Sequence, residues 1–179
     1  MTDMIPTWIG GDLVAVEKLE AHKRGLLHKA VSVFVLCGND VLIQQRALCK
    51  YHTPGLWANT CCTHPKWGEE AEACAHRRLN EELGLTGLNL SHRNQVTYRA
   101  EVGNGLTEHE RVDIFVACVT TRIKAAPNPE EVMNTRWIDM AALTRETRAT
   151  PEVFTPWLRI YLERHARQIF QSADPVLAK

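Results

Sequence analysis

The sequence predicts one α+β domain whose β-sheet is mixed or largely antiparallel. Short β-rich stretches bounded by turn residues recur along the chain. One stretch runs from acidic residues to a glycine, as a helix does, and a segment near the C-terminus is amphipathic. With 179 residues the chain can form one domain with a buried core. We expect residues 1–179 to form this domain around a core at about 28–160.

The predicted strands begin with a β-hairpin. Residues 29–37 (KAVSVFVLC) are rich in β-branched residues, the turn GND follows, and VLIQQR at 41–46 supplies the second strand. A loop is expected at 51–57, and further extended segments are expected at 58–64, 95–101, 110–120 and 132–140.

Two helices are predicted. Residues 69–83 begin with acidic side chains, which the helix dipole favours, and Gly84 supplies a stop signal. Residues 155–170 place Leu158, Leu162 and other apolar side chains on one face, which indicates a C-terminal amphipathic helix.

Composition excludes several classes of function. Lys and Arg together number 21, as do Asp and Glu, so there is no global basic field for nucleic acid and any anion needs a local basic cluster. No apolar run approaches the roughly 20 residues that span a bilayer, and the N-terminus lacks a secretory pattern. Six cysteines in a chain of this length favour reduced thiols, and we expect a cytoplasmic protein.

Charged residues interrupt the apolar stripe of the first predicted helix. Arg78 and Glu82 share that stripe with Ala71, Cys74 and Ala75. An ion pair at the rim of the core explains this, and it is the interpretation that the helix alone favours. In the alternative, Glu82 points into a pocket, where Arg78 orients it or meets an anion.

A second set of polar residues suggests a metal site. Period-2 counting places Glu108 and Glu110 at the head of the apolar face of their strand, where a cation would relieve the repulsion between them. On the extended segment TCCTH, Cys62 shares one face with His64, while Cys61 and Thr63 share the other. A lone histidine is more often structural, but His64 together with two upstream histidines and the two glutamates makes a plausible nitrogen and oxygen site.

The chain resembles the type 1 isopentenyl-diphosphate Δ-isomerases, a branch of the Nudix fold. The resemblance runs from about Lys18 to Trp157, and its landmarks include LLHKAVSVFVL, QQRALCKYHTPGLWANTCCTHP, TYRAE, EHERVDIF and VFTPW. It implies a Nudix-like α/β/α sandwich with a C-terminal helix. It also implies isomerisation of isopentenyl diphosphate to dimethylallyl diphosphate in isoprenoid biosynthesis, a small-molecule substrate, and a monomer or weak dimer.

The resemblance also implies roles for individual residues. Cys62 and Glu110 match the catalytic pair, Tyr98 matches the residue that hydrogen-bonds the glutamate, and Trp157 matches an aromatic residue beside the developing cation. The implied ligands of one divalent metal (Mn²⁺, Zn²⁺ or Mg²⁺) are His22, His28, His64, Glu108 and Glu110. Glu82 matches the carboxylate that holds Mg²⁺ with the substrate diphosphate. The basic positions that grip the diphosphate are matched by Lys18, Arg46, Lys50 and Arg78.

From this chemistry we hypothesise that Glu110, with Tyr98, delivers a proton to the alkene and that Cys62 collects one from the carbon skeleton. Trp157 is expected to stabilise the carbocation with its indole face and to act as a lid.

The Nudix helix pattern is only partly present. Thr63 stands in place of its leading glycine and Arg78 in place of a glutamate, while the pattern retains Glu69, Glu81, Glu82 and Gly84. The arginine removes a carboxylate that a hydrolase would use for metal, so it favours the isomerase over a Nudix-type diphosphate hydrolase. A metal-binding module without catalysis is a third interpretation, but it has no use for Tyr98 or Trp157.

Overall fold

The computed structural model describes residues 3–170 and consists of nine strands and a set of helical segments around one sheet. In chain order these are β1 (Met4–Ile9), β2 (Asp12–Glu17), α1 (Lys18–Arg24), β3 (His28–Cys37), β4 (Asp40–Arg46), β5 (Trp57–Ala58), β6 (Cys61–Thr63), α2 (Ala71–Leu83), β7 (Ser91–Glu101), β8 (Thr107–Cys118), β9 (Val132–Asp139), α3 (Met140–Ala149), a 3₁₀ turn (Pro151–Val153), α4 (Pro156–Ile160), a π-helical turn (Tyr161–His165) and α5 (Ala166–Phe170).

The sheet is mixed, as the sequence predicts, and β3 is its central strand. β3 pairs antiparallel with β1, β4 and β6, and it pairs parallel with β8. The other pairings are antiparallel. The parallel register sets His28 opposite Glu110, and the antiparallel register sets Ser32 opposite Cys62. Polar residues far apart in sequence are therefore brought together at β3.

The two faces of the sheet carry separate cores, which gives the α/β/α arrangement. Along β3, Val31, Val33 and Val35 pack with residues of α2, while Ala30 and Phe34 pack with residues of α4 and α5. This alternation follows from the period of two in an extended strand. Both faces are mostly apolar, so β3 is a largely hydrophobic strand whose buried polar residues are His28 and Ser32.

Most of the predicted elements are confirmed. The 29–46 hairpin forms, and the first predicted helix occupies 71–83 and ends at Gly84, whose φ of 64° is left-handed. The C-terminal helix spans 156–170, although a π-helical turn interrupts it.

Three features differ from the sequence prediction. The β1–β2 hairpin with α1 was not predicted, and α3 was not predicted either. The period of two that sets Glu108 and Glu110 on the apolar face of their strand also predicts Cys118 on that face, but Cys118 is exposed at the end of β8. The strand leaves the core before this residue, so alternation no longer sets its burial.

An ion pair stabilises the entry to α2. Glu69 accepts hydrogen bonds from Arg77 at 2.6 and 2.7 Å and from the backbone N–H of Lys66 at 2.8 Å. The hydrogen bonds from Arg77 are the main reason that the pKa of Glu69 lies below its ordinary value. The stabilisation from this carboxylate is therefore complete above the unfolded-state pKa of about 4.3 and is lost as the pH falls through the lower folded-state value.

We expect Glu69→Gln to lower the free energy of unfolding by about 1 kcal/mol at pH 7, because the partly exposed pair is screened by solvent. The deficit relative to the unmodified protein should shrink at acid pH, as the pH falls through the lowered pKa of Glu69 and the carboxylate is protonated. Urea unfolding at the two pH values measures this. Glu72→Gln, at an exposed position of the same helix, is the control and should show no such pH-dependent deficit. An equal deficit at both pH values would rule out the ion pair as its source.

Candidate metal and active site

Five predicted ligands converge in the interior. One ligand atom from each residue lies within 4.8 Å of all the others, and the five are His22, His28, His64, Glu108 and Glu110. They come from α1, the start of β3, the residue after β6, and alternate positions of β8. The Glu17 side chain caps α1 by accepting from two backbone N–H groups, which fixes the helix that carries His22. The sequence prediction therefore identified residues that the fold does bring together.

His22 and His28 are oriented as metal ligands are. The Nδ1 of His22 lies 2.6 Å from the Lys18 carbonyl oxygen, and the Nδ1 of His28 lies 2.7 Å from the Leu26 carbonyl oxygen. A carbonyl can only accept, so each Nδ1 carries the hydrogen and each Nε2 presents a lone pair. Both Nε2 atoms are buried without a hydrogen-bond partner, as is Oε2 of Glu108. These residues fit a divalent cation, whose charge and coordination would satisfy the unpaired atoms.

The charge balance of the cluster also fits a cation. Burial lowers the pKa of His64, and Lys18 lowers it further, so this imidazole is neutral. Burial alone would lower the pKa of His22 as well, but the carboxylate of Glu108, 3.6 Å from its Nε2, outweighs burial and raises the pKa. The two carboxylates therefore carry negative charge that the imidazoles only partly compensate.

Glu110 is held at both oxygens. Oε1 lies 2.7 Å from Nε2 of His64, and Oε2 accepts a 2.6 Å hydrogen bond from the hydroxyl of Tyr98. Burial would raise the pKa of Glu110, but the hydrogen bonds within the cluster outweigh it and hold the pKa at about 2. The proximity of Tyr98 to this carboxylate agrees with the sequence prediction.

The two adjacent cysteines lie on opposite faces of the sheet, as alternation predicts. Cys61 is fully buried in the core beneath α2. Cys62 is partly buried, packs with the other core, and accepts a 3.3 Å hydrogen bond from the hydroxyl of Ser32. Burial and the nearby charge of Glu110 raise the pKa of Cys62, so the side chain is a thiol in the ligand-free protein.

Two connected cavities give access to these groups. The inner cavity has a volume of about 30 Å³ and is lined by Cys62, Glu110 and Trp157, among others. The outer cavity has a volume of about 560 Å³ and shares Lys18, His64 and other residues with the inner one. The inner cavity has room for only a few water molecules, so a bound hydrocarbon chain would require its walls to move apart.

Trp157 forms part of the wall of the inner cavity. Its side chain is only 2% exposed, and it lies near the beginning of α4. The guanidinium of Arg46 lies 5.3 Å from the centroid of the indole, which shows that this ring already faces a cation. The lid role and the contact with the carbocation that were expected from the sequence stay predictions, and the structure places the indole at the wall of the inner cavity.

The four predicted basic residues line the inner cavity, and three of them line the outer cavity too. Arg78 and Lys50 both contact Oε2 of Glu131, at 3.2 and 2.5 Å respectively. Burial lowers the pKa of Lys18, and the charges of Lys50 and Arg78 lower it further. The basic groups are therefore crowded together, and an anionic ligand would relieve their mutual repulsion.

The position of Glu82 agrees with both interpretations of this residue, as the partner in an ion pair and as a side chain that points into a pocket. It is 4% exposed, and its Oε1 accepts from Arg78 at 2.7 Å, which is the expected ion pair. Its Oε2 accepts from the amide of Gln44 at 3.0 Å, and the residue lines the inner cavity. The ion pair thus lies at the wall of the cavity rather than at a solvated rim.

Comparison with known proteins identifies the family. Residues 26–158 match the NUDIX domain model. The chain is 64% identical over 170 residues to an isopentenyl-diphosphate Delta-isomerase of Cereibacter sphaeroides, which covers 95% of this chain and 96% of that protein. The chain belongs to the isopentenyl-diphosphate Delta-isomerase family. A relative with the same name from Dinoroseobacter shibae is 60% identical, and the match covers 95% of this chain and 97% of the relative. One from Jannaschia sp. is 58% identical, and the match covers 97% of this chain and 98% of the relative.

Solved structures confirm the Nudix fold of this isomerase family member. A Deinococcus radiodurans protein superposes with a TM-score of 0.73 at 14% identity, covering 94% of this chain and all of that one. A MutT protein of Methanosarcina mazei Go1 superposes with a TM-score of 0.60 at 15% identity, covering 79% and 94%. At these identities the likeness concerns the fold alone.

Sequence reasoning missed several polar residues of the isomerase-family site. His52 lies in the loop between β4 and β5, and its Nε2 is 3.2 Å from Oε1 of Glu108. Ser32 contacts Cys62, Gln44 contacts Glu82, and Tyr161 has a buried hydroxyl without a partner. Ser32 and Gln44 were detectable as polar residues within apolar strands, but no sequence signal set His52 apart.

Among the described residues 3–170, no helix is both long and apolar enough to cross a membrane.

Proposed function

We propose that the protein interconverts isopentenyl diphosphate and dimethylallyl diphosphate. The observation that supports this proposal most strongly is that the thiol of Cys62 and the carboxylate of Glu110 line the same buried cavity. Cys62 and Glu110 come from different strands, so they can act on different sides of a bound hydrocarbon. Relatives that bear the isomerase name at 58–64% identity over about 95% of the chain support the assignment.

The chemistry requires an acid and a base in a dry cavity. An alkene is a weak base, and its protonation at the terminal carbon gives a tertiary carbocation. Loss of a proton from the neighbouring methylene on the other side of the cation forms the new double bond. The acid and the base must be held apart, and water must be excluded because it would capture the cation.

Between them, Cys62 and Glu110 would hold one transferable proton, so that one residue is protonated when the other is not. In the forward direction Glu110, hydrogen-bonded to Tyr98, delivers a proton to the alkene, and Cys62 as thiolate collects the other. Forward turnover leaves a thiol and a carboxylate. This is the state of the ligand-free protein, and it is also the state from which the reverse reaction begins. A proton must return from Cys62 to Glu110 before the next forward turnover.

The cluster residues would hold one divalent metal, with Mn²⁺, Zn²⁺ and Mg²⁺ all suited to the donor set. When bound, such a cation supplies positive charge that neutralises the two glutamates and fixes their orientation. Glu108 and Glu110 then stay ordered at the cavity wall. Glu82 would share Mg²⁺ with the diphosphate, and Arg78, its present partner, would move toward the ligand.

The basic residues at the mouth of the inner cavity would bind the diphosphate. We expect Lys50→Gln to raise the KM for isopentenyl diphosphate about tenfold and to leave kcat within about threefold, because Lys50 would supply charge for the diphosphate and transfers no proton. Steady-state kinetics measure both constants. Lys66→Gln, at an exposed lysine of the outer cavity, should change KM less than twofold. An unchanged KM in Lys50→Gln would show that Lys50 does not help to bind the diphosphate.

Product analysis tests the proposed function. The purified protein is incubated with Mg²⁺ and isopentenyl diphosphate, and organic products and released phosphate are both quantified. We expect dimethylallyl diphosphate and no phosphate or pyrophosphate beyond the enzyme-free control. Release of phosphate or pyrophosphate without dimethylallyl diphosphate would instead support the Nudix hydrolase, and no turnover would support a metal-binding module.

The location and assembly are also proposals. All six cysteines are free thiols in the described part of the chain, which fits a reducing compartment. We propose the cytoplasm, and a monomer or weak dimer.

A further inference from the structure

A chain of buried hydrogen bonds ends at the sulfur of Cys62. The amide nitrogen of Asn59 lies 3.2 Å from Oγ of Ser32, and the Ser32 hydroxyl lies 3.3 Å from Sγ of Cys62. Ser32 and Asn59 are both 0% exposed. Polar groups this deep in a core are kept where they satisfy one another, so the direction of each hydrogen bond can be deduced from its partners.

The partners of Asn59 set the direction of this chain. Its side-chain nitrogen is 3.0 Å from the carbonyl oxygen of Val33 and 2.9 Å from that of Cys61. Both oxygens can only accept, which assigns the NH₂ end of the amide to this side. The NH₂ group has two hydrogens for three acceptors, so the Ser32 oxygen shares one of them with a carbonyl oxygen. An amide nitrogen cannot accept, and the single hydrogen of the Ser32 hydroxyl is therefore available to Sγ of Cys62.

The sheet leaves Ser32 and Cys62 little freedom. The two residues are directly opposite each other in the antiparallel pairing of β3 with β6, and Ser32 is opposite Ile114 on its other side in β8. Side chains that face each other across two paired strands lie on the same face of the sheet. The Ser32 hydroxyl thus contacts the sulfur on the side that faces β3. The opposite side of the sulfur is left to face the inner cavity.

We propose that Ser32 is a positioning residue for the thiol of Cys62. By donating its hydrogen to Sγ, Ser32 keeps the hydrogen of the thiol, or the free lone pair of the thiolate, facing the cavity that Glu110 also lines. Asn59 in turn prevents the Ser32 hydroxyl from rotating away. This inference rests on the proposed function, because it assumes that Cys62 moves a proton.

The backbone does not need the Ser32 hydroxyl. Asn59 keeps both of its carbonyl partners if the hydroxyl is removed, and the strand pairing of β3 is made by backbone groups. Ser32→Ala therefore deletes the contacts of the hydroxyl with the sulfur and with Asn59, and it leaves the two hydrogen bonds from Asn59 to backbone carbonyls in place. A loss of activity in this variant reports on the position of the thiol.

The test compares the steady-state kinetics of Ser32→Ala with those of Thr147→Val. Thr147 is a buried residue of α3 whose hydroxyl donates to a backbone carbonyl outside the site, so this variant is matched for the loss of one buried hydroxyl. We expect Ser32→Ala to lower kcat about tenfold with KM within twofold of the unmodified protein, since one hydrogen bond to a reacting group is lost. Thr147→Val should keep both constants.

The outcomes separate the two proposals. Failure of the unmodified protein to form dimethylallyl diphosphate would overturn the proposed function itself. If the unmodified protein is active, a kcat of Ser32→Ala within twofold of normal overturns the positioning role, as does an equal loss in Thr147→Val. Ser32→Thr retains the hydroxyl and should recover kcat to within threefold. If thermal unfolding shows that the added methyl destabilises it, the kcat and KM of Ser32→Ala decide alone.

Discussion

Cys62→Ala is expected to lower kcat for the isomerisation by at least about 10³-fold, because no other group is placed to replace the thiol in proton transfer. The protein should remain folded and should bind as much metal as before, since the sulfur is outside the group of five ligand atoms. Steady-state turnover and the metal content of the purified variant measure the two effects.

Cys61→Ala is the matched control, because it removes the same atoms from the adjacent position. Cys61 lies in the core beneath α2, on the opposite face of the sheet. We expect turnover to stay within threefold of normal and the free energy of unfolding to fall by about 1 kcal/mol, for the loss of one buried apolar atom. Loss of turnover in Cys61→Ala with retention in Cys62→Ala would reverse the assignment of the two faces.

Glu110→Gln should lower kcat by a similar factor, about 10³-fold or more, because an amide can neither deliver nor accept the proton. Unlike Cys62→Ala, this variant should also bind less metal, since one carboxylate of the cluster becomes neutral. Metal content by elemental analysis, measured beside kcat, separates the two variants.

The control for this variant is Asp113→Asn. Asp113 lies on β8 as Glu110 does, but it contacts His92 and Gln95 outside the cluster. Its variant should retain both activity and metal. A Glu110→Gln protein that keeps more than a tenth of its turnover would contradict a role for Glu110 in proton transfer.

The parts of the site that lie on regular strands could be predicted from the sequence. Alternation separates Cys61 from Cys62, and it sets Glu108 and Glu110 on one face of β8, because paired strands cannot rotate their side chains independently. The chemical roles of these residues came from the resemblance to a family, because alternation along a strand indicates only the face on which a side chain lies.

His52 could not be predicted, because its position depends on tertiary contacts of an irregular loop. The loop is held by hydrogen bonds such as those from Arg46 to the carbonyl of His52 and from Gln45 to that of Gly55. No periodicity links such contacts to the sequence. The π-helical turn at Tyr161 is likewise set by packing, since its sequence is compatible with an ordinary helix.

The β1–β2 hairpin shows a signal that was available and not used. Two extended runs, MIPTWI and DLVAVE, are separated by Gly10 and Gly11, which is a typical two-residue hairpin turn. Both glycines have positive φ, 61° and 97°. The hairpin leads directly into α1, so recognising it would also have placed Lys18 and His22 on a helix beside the sheet.

The most direct test of the proposed chemistry is isomerisation in deuterated water. The protein is incubated with Mg²⁺ and isopentenyl diphosphate in D₂O, and the product is examined by NMR. If side chains in exchange with solvent deliver the proton, dimethylallyl diphosphate will carry deuterium in the methyl group formed from the terminal alkene carbon. A product without deuterium, or release of phosphate or pyrophosphate in place of isomerisation, would contradict proton transfer by Glu110 and Cys62.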